Sequence, residues 1–438
     1  MIGASISGVT FVSVPGMVRG MDMTYMQTVS GFFFGYMVVA HVLLPLYYKL
    51  NLTSIYGYLG TRIGTRAYRT GSFFFLLSRM LGTAAKLYLV CLILHTYVFQ
   101  EMHVPFWAIA VGSVALVWIY THKSGIKTIV WTDTLQTFCL IAALIFIIYF
   151  TIQKLDLNFS GIVRTIQSSE YSRIFVLDDW VSRQNFFKQF FSGIFIVIVM
   201  TGLDQDMMQK NLSCRNLREA QKNMYCYGFS FIPLNFLFLC LGILLITLAG
   251  QMHLELPAMN DDILPMFATQ GYLGQSVLIL FTIGIIAAAF SNSDSALTAM
   301  TTSVCVDLLD TEKDTEEVAR RKRNKVHLSL SILLAFFICL VEMLNNKSVI
   351  DAIYIIASYT YGPLLGMFAF GLFTRRQTND RRVPFIAIAS PLLCYALDWW
   401  IAKETGYKFG YELLILNGTL TFAGLIIMSR KEKTLKVP

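Results

Sequence analysis

The chain has 438 residues, of which only 62 are charged: 35 Lys and Arg with 27 Asp and Glu. An average soluble protein of this length carries about 110 charged residues. Apolar side chains make up 55% of the sequence, so a soluble domain, a disordered chain and a secreted disulfide scaffold are all excluded. The composition therefore predicts a multi-pass membrane protein.

Twelve apolar segments approach or exceed the length of about 20 residues that a helix needs to cross a membrane. In chain order they are 2–18, 25–48, 71–98, 105–121, 129–152, 187–206, 223–249, 274–308, 326–344, 349–373, 383–401 and 411–429. The mixed segment 153–183 separates the fifth from the sixth and predicts an amphipathic surface helix with a loop.

Basic residues are distributed unevenly between the two sets of loops that these segments define. One set, with the C-terminal tail, holds 24 Lys and Arg, and the other holds nine. This asymmetry predicts that both termini are cytoplasmic in a cell membrane, inner or plasma. The net charge of +8 is then an orientation signal, and we expect no nucleic-acid partner. No basic stretch precedes the first segment and no cleavage site follows it, so we expect no removable signal peptide.

Polar residues interrupt the first apolar segment. Between Gly3 and Gly16 it carries four hydroxyl side chains, several Gly and a Pro, which make a poor continuous helix. Such a segment either unwinds and offers its oxygens to an ion or solute, or forms a small-residue face for helix packing.

Charged residues occur within three further apolar segments, where lipid penalises them. Arg79, in the third, either clamps the carboxylate of a solute, pairs with a carboxylate elsewhere, or extends to the inner interface. Asp133, at the start of the fifth, either binds a cation or caps its helix. The end of the sixth, 202–210, contains two Asp and a Lys and is interpreted as an intracellular network or a helix terminus.

The eighth segment carries the strongest polar cluster. Ala288, Ser291, Asn292 and Ser295 share one helical face, and Asp294 lies beside them. Their carbonyl, hydroxyl, amide and carboxylate oxygens suit a hard cation such as Na⁺. Bonding of the serines to their own helix is the alternative, and it leaves Asp294 unexplained.

Five motifs, in this order, resemble those of the sodium/solute symporter family over nearly the whole chain. They are GASISGVTFVSVPG (3–16), WTDTLQT (131–137), GLDQDMMQKNLSCRN (202–216), AAAFSNSDSALTAMTTSVCVDLL (287–309) and ASYTYGPLLGMF (357–368). Members of this family carry sugars, proline, sialic acid, monocarboxylates, iodide and vitamins.

The resemblance implies an all-α membrane fold of about 12 transmembrane helices. Two inverted five-helix repeats, about 1–152 and 187–373, would form a transporter core over 1–373. Residues 374–438 would add two peripheral helices and a cytoplasmic tail. Broken first and sixth spans would form a site at the membrane midplane. Members usually begin with an additional leading helix, whereas Met1 of this chain falls almost at the sodium-binding turn.

The resemblance also implies which residues bind sodium. The main site would use three carbonyls and two side chains: Gly3, Ile6, Ala288, Ser291 and Asn292. Asn292 departs from the Ser or Thr that is usual there, but its amide oxygen can coordinate Na⁺. A second sodium, which some members hold, would use four residues: Asp133, Ser291, Asp294 and Ser295.

For the solute, Ser5, Ser7 and Thr10 are similar to the hydroxyl set that binds the carboxylate in sialic-acid members. Arg79 would supply the opposite charge, and Gln27 would line the wall. An anionic solute such as a sialic acid or a monocarboxylate is therefore expected first, and a sugar second.

The sequence thus predicts sodium-coupled symport by alternating access, with Na⁺, a small-molecule solute and the lipid bilayer as partners and without enzymatic chemistry. A proton-coupled or uncoupled transporter on the same fold is the first alternative. A membrane sensor or enzyme on a transporter core is favoured least, because neither a nucleophile elbow nor a metal-ligand spacing is found.

Overall fold

The computed structural model describes residues 8–50, 52, 54–99, 102–123, 126–344 and 349–430. The described chain is almost entirely helical. In chain order the α-helices are α1 Gly8–Met21, α2 Tyr25–Val38, α3 Leu44–Leu50, α4 Gly57–Arg62, α5 Thr65–Ile93, α6 Phe106–Lys123, α7 Ile126–Lys154, α8 Phe159–Ser168, α9 Phe186–Val197, α10 Gln205–Leu212, α11 Leu217–Gln251, α12 Ile263–Thr269, α13 Gln275–Ser303, α14 Glu316–Leu344, α15 Val349–Thr360, α16 Gly362–Phe373, α17 Val383–Thr405 and α18 Leu413–Ile427. One short antiparallel ribbon pairs β1 Gln377–Thr378 with β2 Ser429–Arg430.

The twelve predicted segments fall on these helices. Among the described residues, seven helices are long and apolar enough to cross a membrane, or up to nine if each of two bent pairs forms one span. The first of the seven, Gly8–Leu50, contains the described part of the first predicted segment and all of the second, and a left-handed backbone at Asp22 (φ 55°) separates them. Two shorter apolar helices, Phe106–Ile119 and Leu413–Ile427, match the fourth and twelfth. The all-α membrane class is confirmed, and the count of twelve and the repeat boundaries stay predictions.

Two of the predicted spans are bent. Helix α9, continued by a π-helical turn to Gly202, meets α10 at 67°, and α15 meets α16 at 48°. At the first bend Asp204 leaves the helical conformation, and its side chain accepts a hydrogen bond from the N–H of Met207 (3.1 Å). At the second, Pro363 lies in the first turn of α16, where its missing N–H costs no helical bond. The sixth predicted span is therefore broken.

The mixed segment between the fifth and sixth predicted spans forms a short helix and a loop. Helix α8 has no buried residue, and a chain without regular helix or strand follows it from Arg173 to Asn185. The predicted surface helix with a loop is confirmed. Helix α17 is also mostly exposed, with Phe385, Leu392 and Trp399 on its outer surface, which suits a helix that faces lipid.

Helix α1 lies at the centre of the bundle. All of its residues from Gly8 to Val18 are buried. It packs against α5, α11, α13 and α15, which together enclose it. The polar residues of the first predicted span are therefore surrounded by the helices that carry the other polar clusters.

Helices α2 and α9 approach each other through two glycines. A Cβ on Gly31 would lie 2.1 Å from the carbonyl oxygen of Phe190, and a Cβ on Gly193 would lie 2.2 Å from that of Thr28. Close backbone packing of this kind is how small residues join helices in a membrane. Gly82, in the middle of α5, has no heavy atom within 4 Å of a built Cβ.

Replacing Gly193 with Ala should therefore destabilise the protein, because the new methyl group meets backbone that no side-chain rotation can move. We expect a loss of about 1–3 kcal/mol or more. The matched change Gly82→Ala should be neutral or stabilising by up to about 1 kcal/mol, since it only removes the flexibility of a mid-helix glycine. Thermal unfolding of the detergent-solubilised protein measures both. Equal midpoints for the two variants would contradict this packing.

Candidate ion and solute site

The first and eighth predicted spans meet at the start of the described chain. A Cβ on Gly8 would lie 3.4 Å from the Cβ of Ala288 and 4.0 Å from a methyl group of Val90. Helices α1, α13 and α5 thus come together at this point. Of the predicted ligands, Gly3, Ser5, Ile6 and Ser7 lie outside the described residues.

The polar face of α13 is turned into the protein. Ser291, Asp294 and Ser295 are buried, and the Oγ of Ser295 has no hydrogen-bond partner among the described residues. The amide nitrogen of Asn292 donates to the carbonyl of Ala288 (2.9 Å), which leaves the amide oxygen as the group that could hold a cation. These are hard oxygen donors, so the residues present fit Na⁺.

The helix that carries Asp133 packs along the helix that carries Asp294. This is the arrangement that the predicted second sodium site requires of the two helices. The side chain of Asp133 lies outside the part of the chain that the structure describes. The second site therefore stays a prediction.

A small cavity lies where α1, α5 and α13 meet. Its walls include Gly8, Val9, Lys86, Ala288 and Asn292, and its free space is about that of one water molecule. It is too small for an organic solute as it stands. Lys86 thus lies at the same point as two of the predicted sodium ligands.

Arg79, predicted to hold the carboxylate of a solute, is paired within the protein. Its guanidinium donates a hydrogen bond to Asp206 and lies 3.6 Å from a carboxylate oxygen of Asp204. Lys210 approaches the other oxygen of Asp206 at 3.7 Å. The side chains of Arg79, Asp204 and Asp206 are all nearly inaccessible to solvent. The structure thus shows Arg79 in the alternative arrangement, paired with carboxylates elsewhere in the chain, and its solute role stays a prediction.

Asp204 joins this ion pair to both helix bends. Besides capping α10 it accepts a hydrogen bond from the phenol of Tyr361 (2.7 Å), which lies between α15 and α16 at the second bend. The backbone next to Asp204 is held as well, since the phenol of Tyr56 donates to the carbonyl of Leu203 (2.9 Å). A polar network is therefore present at the end of the sixth span, and its intracellular position stays a prediction.

Lys86 is the one cation of this cluster that has no partner among the described residues. It lies two turns beyond Arg79 on α5, and no hydrogen bond or ion pair within the described chain reaches its ammonium group. The charges that act on it are those of Arg79, Lys210, Asp204 and Asp206. Three cations therefore face two carboxylates, and the cluster carries an excess charge of +1.

The structure gives the other predicted solute residues different surroundings. The amide of Gln27 is used by the loop before α9: it donates to the carbonyl of Gln184 (2.8 Å) and accepts from the N–H of Val176 (3.1 Å). Gln27 thus ties α2 to that loop, and its place in the wall of a solute site stays a prediction. Thr10 is buried on α1.

Sequence reasoning did not assign Lys86 to the site. The signal was present, because a second basic residue seven positions after Arg79 lies on the same helical face at membrane depth. Only the structure shows that Arg79 is paired, whereas Lys86 has no partner among the residues that it describes.

Comparison with known proteins shows which family has this architecture. The sequence matches the profile of the sodium:solute symporter family over residues 1–381. It is 25% identical to the sodium/sialic acid symporter NanT of Aliivibrio fischeri, over 96% of this chain and 84% of that protein. It is also 25% identical to the sodium-dependent multivitamin transporter of Oryctolagus cuniculus, over 84% of this chain but only 58% of that protein.

Two solved structures have the same fold. A substrate-bound, outward-open Na⁺-coupled sialic acid symporter superposes with a TM-score of 0.78 at 20% identity, over 98% of this chain and 89% of that one. The nucleobase-cation-symport-1 family transporter Mhp1, in a closed conformation, gives a TM-score of 0.52 at 13% identity, over 98% and 90%. The predicted transporter fold is therefore confirmed.

Arg79 and Lys86 form a matched pair for a stability test, since both are basic residues inside α5. Arg79→Gln leaves two carboxylates buried without their main counter-charge, and we expect a loss of about 3–5 kcal/mol. Lys86→Gln removes a charge that has no partner in the described chain, so the unfolding midpoint should stay the same or rise. Thermal unfolding in detergent compares the two.

The double variant Arg79→Gln/Asp206→Asn serves as the control for this interpretation. It removes both members of the closest pair and should recover much of the lost stability. A loss in Lys86→Gln as large as that in Arg79→Gln would show that the assignment of paired and unpaired cations is wrong.

Proposed function

Because the chain belongs to the sodium:solute symporter family, we propose that it couples the inward movement of Na⁺ to the uptake of a small organic anion. It is a multi-pass membrane transporter, and no bond is made or broken. The solute we propose carries a carboxylate, as sialic acids and monocarboxylates do. Relatives named for sialic acid and for monocarboxylates support this class.

The observation that carries the anionic assignment is that Lys86 lines the cavity and has no hydrogen-bond or ion-pair partner among the described residues. A half-buried cation whose partner is missing from the described chain is costly, and an anion that approaches it relieves this cost. A neutral sugar would leave the excess charge of the cluster in place. The site therefore selects anionic over neutral solutes mainly by charge, and shape is a secondary determinant.

The oxygen donors of α13 supply the cation half of the proposal. Ser291 and Asn292, with the carbonyl of Ala288, would hold Na⁺ together with carbonyls of the first span. The bound anion would then interact with both Na⁺ and Lys86. At an effective dielectric constant of about 20, unit charges about 6 Å apart interact by about 3 kcal/mol. The anion thus favours the binding of Na⁺, and Na⁺ favours that of the anion by the same amount.

Transport follows by alternating access of this site. The cavity must widen before a carboxylate can enter it, so α1 and α13 have to separate during the cycle. Each Na⁺ that moves inward across 100 mV contributes about 2.3 kcal/mol. The distribution of Lys and Arg supports cytoplasmic termini in the inner or plasma membrane.

In a second candidate function, the ammonium of Lys86 takes the place of Na⁺. Lys86 lies against Ala288 and Asn292, where the predicted Na⁺ would bind. A fixed ammonium there can replace Na⁺, and the protein would then be an uncoupled carrier. The two functions differ in what removal of the ammonium does: the symporter loses its preference for anions, whereas the uncoupled carrier becomes sodium-dependent.

Ser291→Ala tests the cation half. Loss of one hydroxyl ligand should weaken Na⁺ binding by about 10-fold or more, because a hydrogen-bonding group on an ion contributes about 1.5–3 kcal/mol. The rise of the unfolding midpoint with added Na⁺, at constant ionic strength in choline chloride, reports the affinity. Thr298→Ala, an exposed hydroxyl on the same helix, is the control and should respond as the unaltered protein does. An unchanged sodium response in Ser291→Ala would exclude this site.

Lys86→Gln tests the anion half. Affinity for a carboxylate solute should fall by about 30-fold or more, since truncating one member of a buried charge pair costs about 2–5 kcal/mol. Affinity for the matching neutral amide should hardly change. Thermal-shift titrations of both solutes in Na⁺ measure the ratio. Arg320→Gln, an exposed basic residue of α14, is the control. A sodium response that appears only in Lys86→Gln would favour the uncoupled carrier instead.

A further inference from the structure

A groove on the outside of the bundle is not used by the transport site. It lies along the first half of α11, with a volume of about 670 Å³, and its lining includes Arg218, Lys222, Tyr225 and Phe229. These positions recur every three or four residues, so they form one continuous stripe on the helix. Helix α2 and the π-helical turn Val39–Leu43 flank it.

The two ends of this stripe differ in polarity. Arg218 and Lys222, at the start of α11, are both exposed. Phe229 is 62% exposed, and the exposed residues Phe236 and Leu237 continue the stripe along the helix. Phe229 lies about 10 Å beyond Lys222 along the helix axis, at 1.5 Å per residue. This distance fits within the hydrocarbon depth of one leaflet, about 15 Å.

The two cations are available to a ligand. Neither Arg218 nor Lys222 makes an ion pair or a hydrogen bond within the part of the chain that the structure describes. They lie one turn apart, so a single phosphate can meet both.

The boundary between the polar and apolar halves is held by hydrogen bonds. The phenol of Tyr225 bonds to Nε2 of His41, and the amide of Gln221 donates to the carbonyl of Ala40 (3.0 Å). These bonds join α11 to the π-helical turn and form the wall of the groove. Tyrosine and histidine at this level are typical of the interface between headgroups and acyl chains.

We propose that this groove binds an anionic phospholipid of the bilayer. The phosphate lies between Arg218 and Lys222, and an acyl chain follows Phe229 towards Phe236. Charge complementarity and the continuous apolar stripe favour one amphipathic occupant. A free phosphate would leave the apolar half exposed, and a second copy of this chain would bring like charges together. Basic pockets between helices bind lipid headgroups in this way.

The test compares lipid binding by the purified full chain and by two double variants. Arg218→Gln/Lys222→Gln removes the proposed phosphate ligands. Arg320→Gln/Arg323→Gln removes the same charge from exposed positions at the start of α14. Each protein is delipidated in detergent and titrated with phosphatidylglycerol, phosphatidylcholine and inorganic phosphate. Native mass spectrometry counts the lipids retained, and the unfolding midpoint reports stabilisation.

The unaltered protein and the Arg320/Arg323 variant should prefer phosphatidylglycerol over phosphatidylcholine by about 10-fold or more, whereas the Arg218/Lys222 variant should lose this preference. All three should unfold at the same temperature in neutral lipid, since the altered side chains are exposed. An equal loss in the two variants would indicate general surface charge and overturn the proposal. A preference retained in Arg218→Gln/Lys222→Gln, or stabilisation by inorganic phosphate alone, would overturn it as well.

Discussion

Charged side chains inside this bundle are costly unless they are neutralised. The ion pairs of Arg79 with Asp206 and Asp204 are the main way in which the structure neutralises them. A carboxylate inside a membrane protein needs a counter-charge or hydrogen-bond donors, and Asp204 has both. It receives the guanidinium, the phenol of Tyr361 and the first turn of α10. This one residue therefore holds the bend of the sixth predicted span against α5 and against the second bend.

The same ion pair determines which charged side chains remain available to bind ligands. Because Arg79 is paired with Asp206 and Asp204, Lys86 is the cation of this cluster that has no partner in the described chain, and it lies where α1, α5 and α13 meet. The oxygen-rich face of α13 lies at that junction and attracts a cation, while the positive charge of Lys86 attracts an anion. A site that needs both is incomplete with either alone. Coupled binding of Na⁺ and an organic anion then follows from electrostatics and requires no separate signalling pathway through the helices.

Hydropathy and periodicity predicted the parts of this account that depend on local sequence. The apolar segments, the amphipathic segment 153–183 and the shared face of Ala288 and Asn292 each follow from spacing alone. The partner of Arg79 does not, because Asp206 is 127 residues away along the chain. Nor could the sequence reveal that Gln27 holds a loop, since its partners are backbone groups that carry no residue signature. Long-range pairing decides which polar residues remain free to act.

The most direct measurement of the central claim is solute uptake into liposomes that contain the purified protein. A labelled sialic acid or monocarboxylate is supplied outside, with an inward Na⁺ gradient or with K⁺ at the same ionic strength. The account predicts accumulation above the external concentration with the Na⁺ gradient, stronger when the interior is negative and absent in K⁺. Uptake that only equilibrates the solute, at the same rate in Na⁺ and in K⁺, would contradict it.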